Sequence, residues 1–355
     1  MHITHINLSK GLRGGERQTA LLIQGLAAKQ TKQQLIARYD SPLINILKAT
    51  PNLNIIPIRK PYIWQLRHKL QTDLLHAHEA KAAQWCYLHH LMYRKPYVIT
   101  RRVPHKPKAN WFTRRVYNHA AAVVALSSAI KNIVQHYSPE LQVEIIPSMY
   151  QKTMPNKERV KQLKDYCQQT YGKRTTIGNL IVGHIGALVD HHKGQSLIIE
   201  AARQLEHSHP QLLFIFVSDG PDKARLTKLA KGLPVYFAGH QSQVADYFAL
   251  FDYFVFPSLH EGLGSSLLDA IFHQLPIIAS RVDGIPDIIQ DQQTGLLIEP
   301  GKADQLAKAL IRIMDSDLSN KLVKQANLTL ERYGVETVTE QYIGVYQRVV
   351  AGQKT

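Results

Sequence analysis

The alternation of apolar strands with amphipathic helices, repeated twice along the chain, constrains the fold more than any other feature. The first series of strand-like segments is "HITHINLS", "DLLHAH", "PYVIT", "AAVVALS" and "VEIIPS", and the second is "LIVGHIGAL", "LLFIFVSDG", "VYFAG", "YFVFPS" and "LPIIAS". Continuous apolar strands with helices between them are typical of parallel sheets buried on both faces. The sequence therefore predicts an α/β protein with two doubly wound, Rossmann-like domains.

The two series are separated by a polar stretch, "QKTMPNKERVKQLKDYCQQTYGKRTTIGN", which is typical of a helix plus a linker. With 355 residues, of which 45% are hydrophobic, the chain is long enough for two packed domains. The predicted domains are residues 1–175 and 176–335. A C-terminal helix over residues 336–355 is expected to pack back on the first domain.

The charge is distributed unevenly between the two halves. The net charge is +16, but residues 1–180 hold 28 Lys and Arg against 8 Asp and Glu, whereas residues 181–355 hold 15 against 19. Such an asymmetry indicates an anionic partner for the first half: a membrane surface, an acidic polymer or nucleic acid.

The cysteines, the opening residues and the apolar segments indicate the compartment and bear on metal binding. Cys86 and Cys167 form no disulfide framework and no metal pattern, and the opening residues lack the layout of a signal peptide. No segment approaches the roughly 20 apolar residues of a membrane-spanning helix. We therefore expect a cytoplasmic protein, at most peripheral on the inner face of the cell membrane, with no cofactor and no bound metal.

Three glycine-containing loops follow strands, namely "SKGLRGGERQ", "GALVDHHKGQSL" and "SLHEGLGSS". Ligands of doubly wound domains bind at the carboxyl ends of the strands, and helix N-termini bind anions there. The first loop does not have the G-x-G-x-x-G spacing, so a dinucleotide fingerprint is not supported. The alternative for each loop is a tight turn without a ligand.

The third loop carries an acid on each side of a glycine turn. Glu261 lies in the loop, and Asp269 lies inside the helix that follows. A carboxylate in each place can accept hydrogen bonds from sugar hydroxyls, while the turn amides face a diphosphate. Lys193 of the second loop is a point charge suited to phosphate. The alternatives are a helix-dipole role for Glu261, partial burial for Asp269 and a solvated Lys193.

The second half resembles the family-4 retaining glycosyltransferases (glycosyltransferase group 1) of the GT-B fold. The resemblance is carried by "GALVDHHKG", "FVSDGPDKARL", "VYFAGHQSQVADYFALFDYFVFPSLHEGLGSSLLDAIFHQLPIIASRVDGIPDII" and "TGLLIEPGKADQLAKAL", over most of residues 181–311. The first half is similar more loosely, through "GGERQTALLIQGLA", "DLLHAHEAKAA" and "VVALSSAIKNIV". The resemblance implies two Rossmann-like domains facing an interdomain cleft, with the nucleotide sugar held by the second.

The resemblance also implies roles for particular residues. Glu261 and Lys193 would be catalytic, with the lysine on the donor diphosphate and the glutamate on the donor sugar. The implied donor-binding residues are Gly15, Lys193, Gly239, His240, Gln241, Glu261, Gly262, Leu263, Gly264, Ser265 and Asp269. The resemblance places Gly14, with Gly15, near the donor phosphate and the acceptor. The residues expected to bind the acceptor are Arg13, Gly14, Arg101 and Arg102, the arginines because of their fixed positive charge.

The chain departs from the family pattern at three positions. Asp269 replaces the usual glutamate, and Ala187 stands where an arginine usually follows the glycine, a contact that Arg13 or Arg17 would replace. Arg101 and Arg102 follow the strand "PYVIT", where many members have a histidine.

The missing histidine leaves the general base to be found elsewhere. His78, at the end of "HAH", is our substitute for it. The alternative is that His76 and His78 are simply polar residues at a strand end.

The resemblance favours transfer with retention through a front-face mechanism, in which the departing phosphate helps deprotonate the acceptor. The donor is expected to be a UDP-sugar. The segment Arg94–Arg115 contains eight Lys or Arg and no acid, with Trp111 and Phe112 among them, and suits an anionic membrane or a phosphorylated glycolipid. The expected acceptor is therefore an anionic glycolipid or saccharide, lipopolysaccharide core above all. The alternative for the segment is a solvated basic loop without a partner.

Three other functions are compatible with parts of the sequence. A nucleotide-sugar epimerase would share the two-domain architecture and would consume donor without an acceptor. A nucleic-acid-binding protein would explain the net charge, but no nucleic-acid motif is present and we expect no such partner. A dehydrogenase is disfavoured by the missing fingerprint.

Overall fold

The computed structural model describes residues 1–171 and 179–352 of the chain. These residues divide into two compact units, Met1–Met149 with Arg332–Thr355, and Tyr150–Glu331. The predicted boundary at residues 175 and 176 lies outside the described residues. The units themselves divide at Met149, because the helix Lys157–Tyr171 buries Cys167 and contacts the second unit.

Within the described residues, the first unit contains a seven-stranded parallel sheet. Its strands are β1 His2–Asn7, β2 Lys32–Arg38, β3 Leu53–Ile58, β4 Leu74–Ala77, β5 Tyr97–Arg101, β6 Ala122–Ala125 and β7 Val143–Ile145, in the order β3-β2-β1-β4-β5-β6-β7. Its helices are α1 Gly14–Ala28, α2 Pro42–Leu47, α3 Ala80–Tyr93, α4 Trp111–Asn118, α5 Ser128–Tyr137 and the C-terminal α14 Val335–Ala351, with a 3-10 helix over Tyr62–Arg67.

The C-terminal helix α14 is part of this first unit. It packs against α1, and its apolar face enters the core between that helix and the sheet. Tyr342, Val345 and Tyr346 are buried there with Leu22 and Leu74. The helix is amphipathic, with its apolar residues on one face at helical spacing. This face completes the core of the first sheet, although the helix lies far from the sheet in sequence.

The second unit, in the part of the chain that the structure describes, contains a six-stranded parallel sheet. Its strands are β8 Leu180–Ile185, β9 Leu212–Val217, β10 Val235–Gly239, β11 Tyr253–Phe256, β12 Ile277–Ser280 and β13 Leu296–Ile298, in the order β10-β9-β8-β11-β12-β13. Its helices are α6 Lys157–Tyr171, α7 Asp190–Lys193, α8 Gln195–Leu205, α9 Lys223–Leu229, α10 Val244–Phe248, α11 Ser265–Phe272, α12 Ala303–Ile313 and α13 Ser316–Leu328. Two parallel, helix-covered sheets confirm the predicted fold class.

The sheet order fixes where a ligand is expected in each unit. The strand order reverses between β1 and β4 in the first sheet and between β8 and β11 in the second. In open parallel sheets, the loops at the carboxyl ends of two such strands diverge and leave a crevice for a ligand. The loops after β8 and β11 contain Lys193 and Glu261, and the loops after β1 and β4 contain Arg13 and His78.

No helix among the described residues is both long enough and apolar enough to cross a membrane.

Candidate functional site

Lys193 and Glu261 meet at the switch point of the second sheet. Lys193 is the last residue of α7, and Glu261 lies in the loop after β11. The Lys193 ammonium donates a hydrogen bond to Glu261 Oε2, and the side chains are 23% and 15% exposed. The ammonium also lies 5.1 Å from the centroid of the Phe256 ring. The fold thus brings together the two residues predicted to touch the donor sugar and diphosphate.

The two loops that carry this pair are fastened to each other. The backbone amides of Leu259 and His260 both donate to the carbonyl of His192, at 2.8 and 3.2 Å. Gly194 has φ +65°, and a Cβ on it would lie 2.2 Å from the carbonyl oxygen of Pro257. Only glycine permits this approach, so the glycine after Lys193 sets how closely the lysine loop lies against the glutamate loop.

The backbone on either side of Glu261 is anchored from a third loop. The Glu261 amide donates to Asp283 Oδ2 at 2.9 Å, and the amide of Gly284 donates to the Glu261 carbonyl at 3.4 Å. Asp283 follows β12, so neighbouring strands position the glutamate. Sequence analysis missed Asp283, because a single aspartate after a strand carries no signal of its own.

The glycine turn leads directly into α11. Gly264 is the N-cap residue, with φ +87°, and its cap has no side-chain hydrogen bond. Gly262, Leu263 and Gly264 are buried, and Ser265 is half-buried. A helix start capped by glycine leaves its first amides without a side-chain acceptor, and such amides bind anions.

Asp269 lies on the same helix, α11, one turn after Ser265, and is half-buried. This helix begins directly after the glycine turn, so Asp269 follows the turn on the same element. Its predicted contact with a ribose stays a prediction.

The segment expected to face the base of the nucleotide lies at the end of β10. Gly239 has φ +69°, and the amide of His240 donates to Asp219 Oδ2 at 2.9 Å. Gln241 donates to the carbonyl of Ala238 at 2.7 Å and accepts from Arg159, also at 2.7 Å. The His240 side chain is exposed, whereas the side chain of Gln241 is held in place. Gly239–Gln241 lies at the carboxyl end of a strand, and its predicted contact with the base of the nucleotide stays a prediction.

In the first unit, the glycine loop opens α1. Arg13 is the N-cap residue, and its amide donates to Glu16 Oε2 at 2.9 Å. Gly14 and Gly15 begin the helix, and a Cβ on Gly15 would lie 3.4 Å from Cδ of Arg102. Gly15 therefore packs against the stem of Arg102, which places two predicted ligand residues side by side.

Arg101 and Arg102 occupy different environments. Arg101 donates to the Tyr117 hydroxyl at 2.7 Å and to the carbonyl of His105, so its guanidinium is already bonded within its own unit. Burial lowers the pKa of Arg102, although Tyr342 and Glu16 oppose the shift. The acceptor-binding role of both arginines stays a prediction, and Arg101 would have to exchange its existing bonds for those to a ligand.

The candidate base, His78, lies in a buried cluster with His5 and His76. Ligand atoms of the three imidazoles lie within 4.8 Å of one another, a grouping that sequence spacing did not indicate. Five of the six ring nitrogens are engaged in hydrogen bonds: His5 with Gln33 (3.1 Å) and His78 (3.0 Å), and His76 with Thr100 (2.7 Å) and Tyr346 (2.8 Å). A metal ion would have to displace several of these bonds.

The hydrogen bonds also fix the tautomer of His78. Gln33 Nε2 donates to the carbonyl of Ile23, so its Oε1 accepts from His5 Nε2. His5 Nδ1 is then an acceptor, and His78 Nε2 must donate to it. His78 Nδ1 is left as a buried lone pair, with no partner among the described residues.

The pKa of His78 lies well below its usual range, chiefly because of burial and then because of His76, His5 and Arg102. The imidazole is therefore neutral near pH 7 and can accept a proton only weakly. Its predicted role as general base stays a prediction. Sequence reasoning missed His5 and Tyr346, which hold the cluster; the only signal was histidine inside otherwise apolar strands.

Two family models match this sequence, one in each unit. The model described as Glycosyltransferase Family 4 matches residues 12–149, and the model described as Glycosyl transferases group 1 matches residues 179–316. Together they cover most of the chain.

Two curated relatives give weaker, partial matches. The alpha-D-kanosaminyltransferase of Streptomyces kanamyceticus is 27% identical over 256 residues, which cover 68% of this chain and 64% of that protein. The lipopolysaccharide core biosynthesis glycosyltransferase LpsE of Rhizobium meliloti is 30% identical over 169 residues, which cover 46% of this chain and 48% of that protein. The matched segments thus span less than two thirds of either relative.

A solved structure shares the whole fold. HepE of Anabaena, solved in complex with UDP-glucose, has a TM-score of 0.81 at 20% identity, covering 98% of this chain and 100% of that one. At this identity the likeness establishes the architecture. The first unit thus matches the Glycosyltransferase Family 4 model, the second unit matches the Glycosyl transferases group 1 model, and the chain shares its fold with HepE.

Proposed function

We propose that the protein transfers a sugar from a nucleotide-sugar donor, a UDP-sugar, to an anionic acceptor. The observation that carries the proposal is the Lys193–Glu261 pair at the switch point of the second sheet, beside the glycine-capped start of α11. A cation, a set of helix amides and a carboxylate offer partners for a diphosphate and for sugar hydroxyls. HepE, which binds UDP-glucose in its solved complex, supports UDP as the nucleotide.

In the proposed reaction, the bond between the anomeric carbon and the β-phosphate oxygen breaks, and an acceptor hydroxyl oxygen bonds to that carbon. The acceptor proton passes to the departing diphosphate. Lys193 and the first amides of α11 stabilise the negative charge that grows on the diphosphate. Glu261 accepts a hydrogen bond from a sugar hydroxyl and so orients the donor.

We further propose that the new bond retains the donor's anomeric configuration and that no metal ion is needed. Retention follows from attack on the face that the leaving phosphate vacates, which suits a glutamate that binds a hydroxyl and a phosphate that takes the proton. A proton NMR spectrum of the product gives the configuration directly. Turnover is expected to be unchanged in EDTA, since Lys193 supplies the cation.

For the acceptor we propose an anionic glycolipid, with lipopolysaccharide core as the first candidate. The match to LpsE, a lipopolysaccharide core glycosyltransferase, supports this choice, as does the basic first half of the chain. An acceptor with several phosphates is attracted by clustered cations at low salt.

We also propose that the first unit docks on the cytoplasmic face of the membrane. Three segments supply the surface: the 3-10 helix Tyr62–Arg67, the end of α3 and the start of α4. They are joined by the bond from Trp85 Nε1 to the Tyr62 carbonyl (3.1 Å) and by contact between the rings of Tyr87 and Phe112. Large apolar side chains are exposed on these segments, namely Ile63 (59%), Trp64 (59%), Leu91 (45%), Met92 (55%) and Trp111 (73%). Exposed tryptophans among cations are typical of binding to anionic lipid.

The reaction is tested by product analysis with a panel of labelled UDP-, GDP- and CMP-sugars, with and without lipopolysaccharide core as acceptor. We expect label to move from a UDP-sugar to the acceptor, with release of UDP. Conversion of the donor sugar without acceptor would instead indicate an epimerase. Failure of every donor to react or bind would contradict the proposal.

A further inference from the structure

A polar cavity lies on the side of the first sheet that is away from β4, beyond β1. It is found at the carboxyl ends of β2 and β3, where parallel sheets bind ligands. Its volume is about 320 Å³, and it is lined by Arg38, Tyr39, Ile58, Arg59, Lys60 and Tyr62. Three cations and two tyrosines thus surround a space of the size that holds a small ligand.

The cavity wall is organised by hydrogen bonds between its two loops. The amide of Tyr39, after β2, donates to the carbonyl of Ile58, the last residue of β3, at 3.0 Å. Arg38 donates to both carboxylate oxygens of Asp40, at 2.8 and 2.6 Å, and to the Tyr62 hydroxyl at 3.2 Å. A guanidinium held on three sides in this way loses little side-chain entropy when a ligand binds.

The charge of the cavity remains positive after this pairing. Asp40 balances Arg38, but Arg59 and Lys60 add two further cations, and the charge of Lys10 also reaches Asp40. The Arg59 guanidinium stacks over the Tyr39 ring, 4.5 Å from its centroid, and leaves its edge N–H groups for other acceptors. Both Arg59 and Lys60 are exposed.

We infer that this cavity binds a phosphate monoester carried on a sugar. The cations provide donors for the phosphate oxygens, with arginine suited to two parallel hydrogen bonds. The rings of Tyr39 and Tyr62 provide flat apolar surfaces against which the C–H face of a sugar packs. The inference rests on the proposed function and extends it, because it gives the anionic acceptor a binding site outside Arg101 and Arg102.

The test compares two double variants of equal charge change. R59Q/K60Q removes the two exposed cations of the cavity, and K32Q/K48Q removes two exposed lysines elsewhere in the same unit. Each protein is titrated with glucose 6-phosphate, glucose and inorganic phosphate at constant ionic strength. Vesicles of phosphatidic acid in phosphatidylcholine provide the lipid phosphate, and UDP is titrated into each variant as a control for the second unit.

We expect the unaltered protein and K32Q/K48Q to bind glucose 6-phosphate more tightly than glucose or inorganic phosphate. R59Q/K60Q should lose at least tenfold in that affinity while UDP affinity is unchanged. Equal affinities for glucose 6-phosphate in the two variants, or binding to the phosphatidic acid vesicles alone, would overturn the inference. If the unaltered protein did not bind UDP, the proposed function itself would be contradicted. Failure of the inference and failure of the proposed function are therefore distinguishable.

Discussion

At the scale of single residues, Lys193 and Glu261 bond to each other through the same ammonium and carboxylate groups that would bind a donor. Their mutual bond keeps two partly buried charges paired. A diphosphate would draw the lysine, and a sugar hydroxyl would satisfy the carboxylate, so the donor replaces one set of bonds by another. Because both charges keep a partner in either state, the exchange avoids the cost of an unpaired buried charge.

Replacing Glu261 by alanine should reduce transfer at saturating donor roughly a hundredfold or more, since an orienting hydrogen bond to the sugar is lost. The free energy of unfolding should fall by only about 1 kcal/mol, because Lys193 loses its partner but is 23% exposed and can be hydrated. The matched control is E200A, which removes an exposed glutamate of α8 in the same unit. Steady-state rates within tenfold of the unaltered protein would show that Glu261 does not orient the sugar.

At the scale of elements, the loop that carries Lys193 can contact the loop that carries Glu261 only because Gly194 has no side chain. A Cβ there would collide with the Pro257 carbonyl, and the left-handed backbone adds strain. Gly232, in the same unit, has φ +87° but open space around it. The pair therefore separates steric collision from backbone strain.

We expect G232A to lower the free energy of unfolding by about 1 kcal/mol, the cost of a left-handed alanine. G194A should lower it by about 3 kcal/mol or more and should also weaken UDP binding, because the lysine loop is pushed away from Glu261. Urea unfolding and calorimetry measure the two effects. Equal losses for both variants would mean that the loops do not approach each other as described.

The strands also carry buried neutral histidines. Burial lowers the pKa of His5 from 6.5 to about 3 and that of His184 from 6.5 to about 4. Between these values and pH 6.5 the unfolded chain binds protons that the folded chain does not. The contribution of these neutral histidines to the free energy of unfolding should therefore be fully present above pH 6.5 and should be lost as the pH is lowered.

H184Q should show a smaller loss of stability between pH 7 and pH 5, by about 2 kcal/mol, than the unaltered protein. H207Q, which alters an exposed histidine of the same unit, should keep the full loss. Urea unfolding at the two pH values gives both differences. The same pH dependence in H184Q and H207Q would show that His184 is not held neutral by burial.

The sequence predicted most of the strands and the two sheets, because continuous apolar segments are buried on both faces. It missed β3, at the edge of the first sheet, and its neighbour β2, because the segments "LNIIPI" and "KQQLIAR" mix polar and apolar residues. It also missed the three-residue β13. Edge and short strands lack the apolar run that marks a central strand.

The sequence predicted only those parts of the candidate site that follow strands with a clear apolar pattern. Lys193 and Glu261 follow strands with clear patterns, and adjacent strand ends bring them together. The bond between them, the anchor from Asp283 and the tautomer of His78 depend on residues up to 73 positions apart. Such pairings arise from packing of the chain and leave no local signal.

At the scale of the whole molecule, the uneven charge predicts salt-sensitive binding of the basic half to anionic membranes. Vesicles containing phosphatidylglycerol should bind the protein at low salt and release it at high salt, since the attraction is screened. W64A/W111A should bind more weakly at both salts, because the apolar contribution is lost. L328A alters an exposed leucine of the second unit and serves as the control.

Co-sedimentation measures the bound fraction of each variant. Equal binding of W64A/W111A and L328A would exclude the proposed surface. Binding to neutral vesicles as strong as to anionic ones would exclude the electrostatic explanation.

Calorimetric titration of UDP and of uridine shows whether the second unit binds the diphosphate of a nucleotide sugar through Lys193. The variants are K193A and K324A, the latter altering an exposed lysine of α13 in the same unit. Binding of the diphosphate by Lys193 requires that K193A lose at least tenfold in affinity for UDP but little for uridine, and that K324A bind both as the unaltered protein does. Equal weakening of UDP and uridine in K193A, or no weakening of UDP, would contradict it.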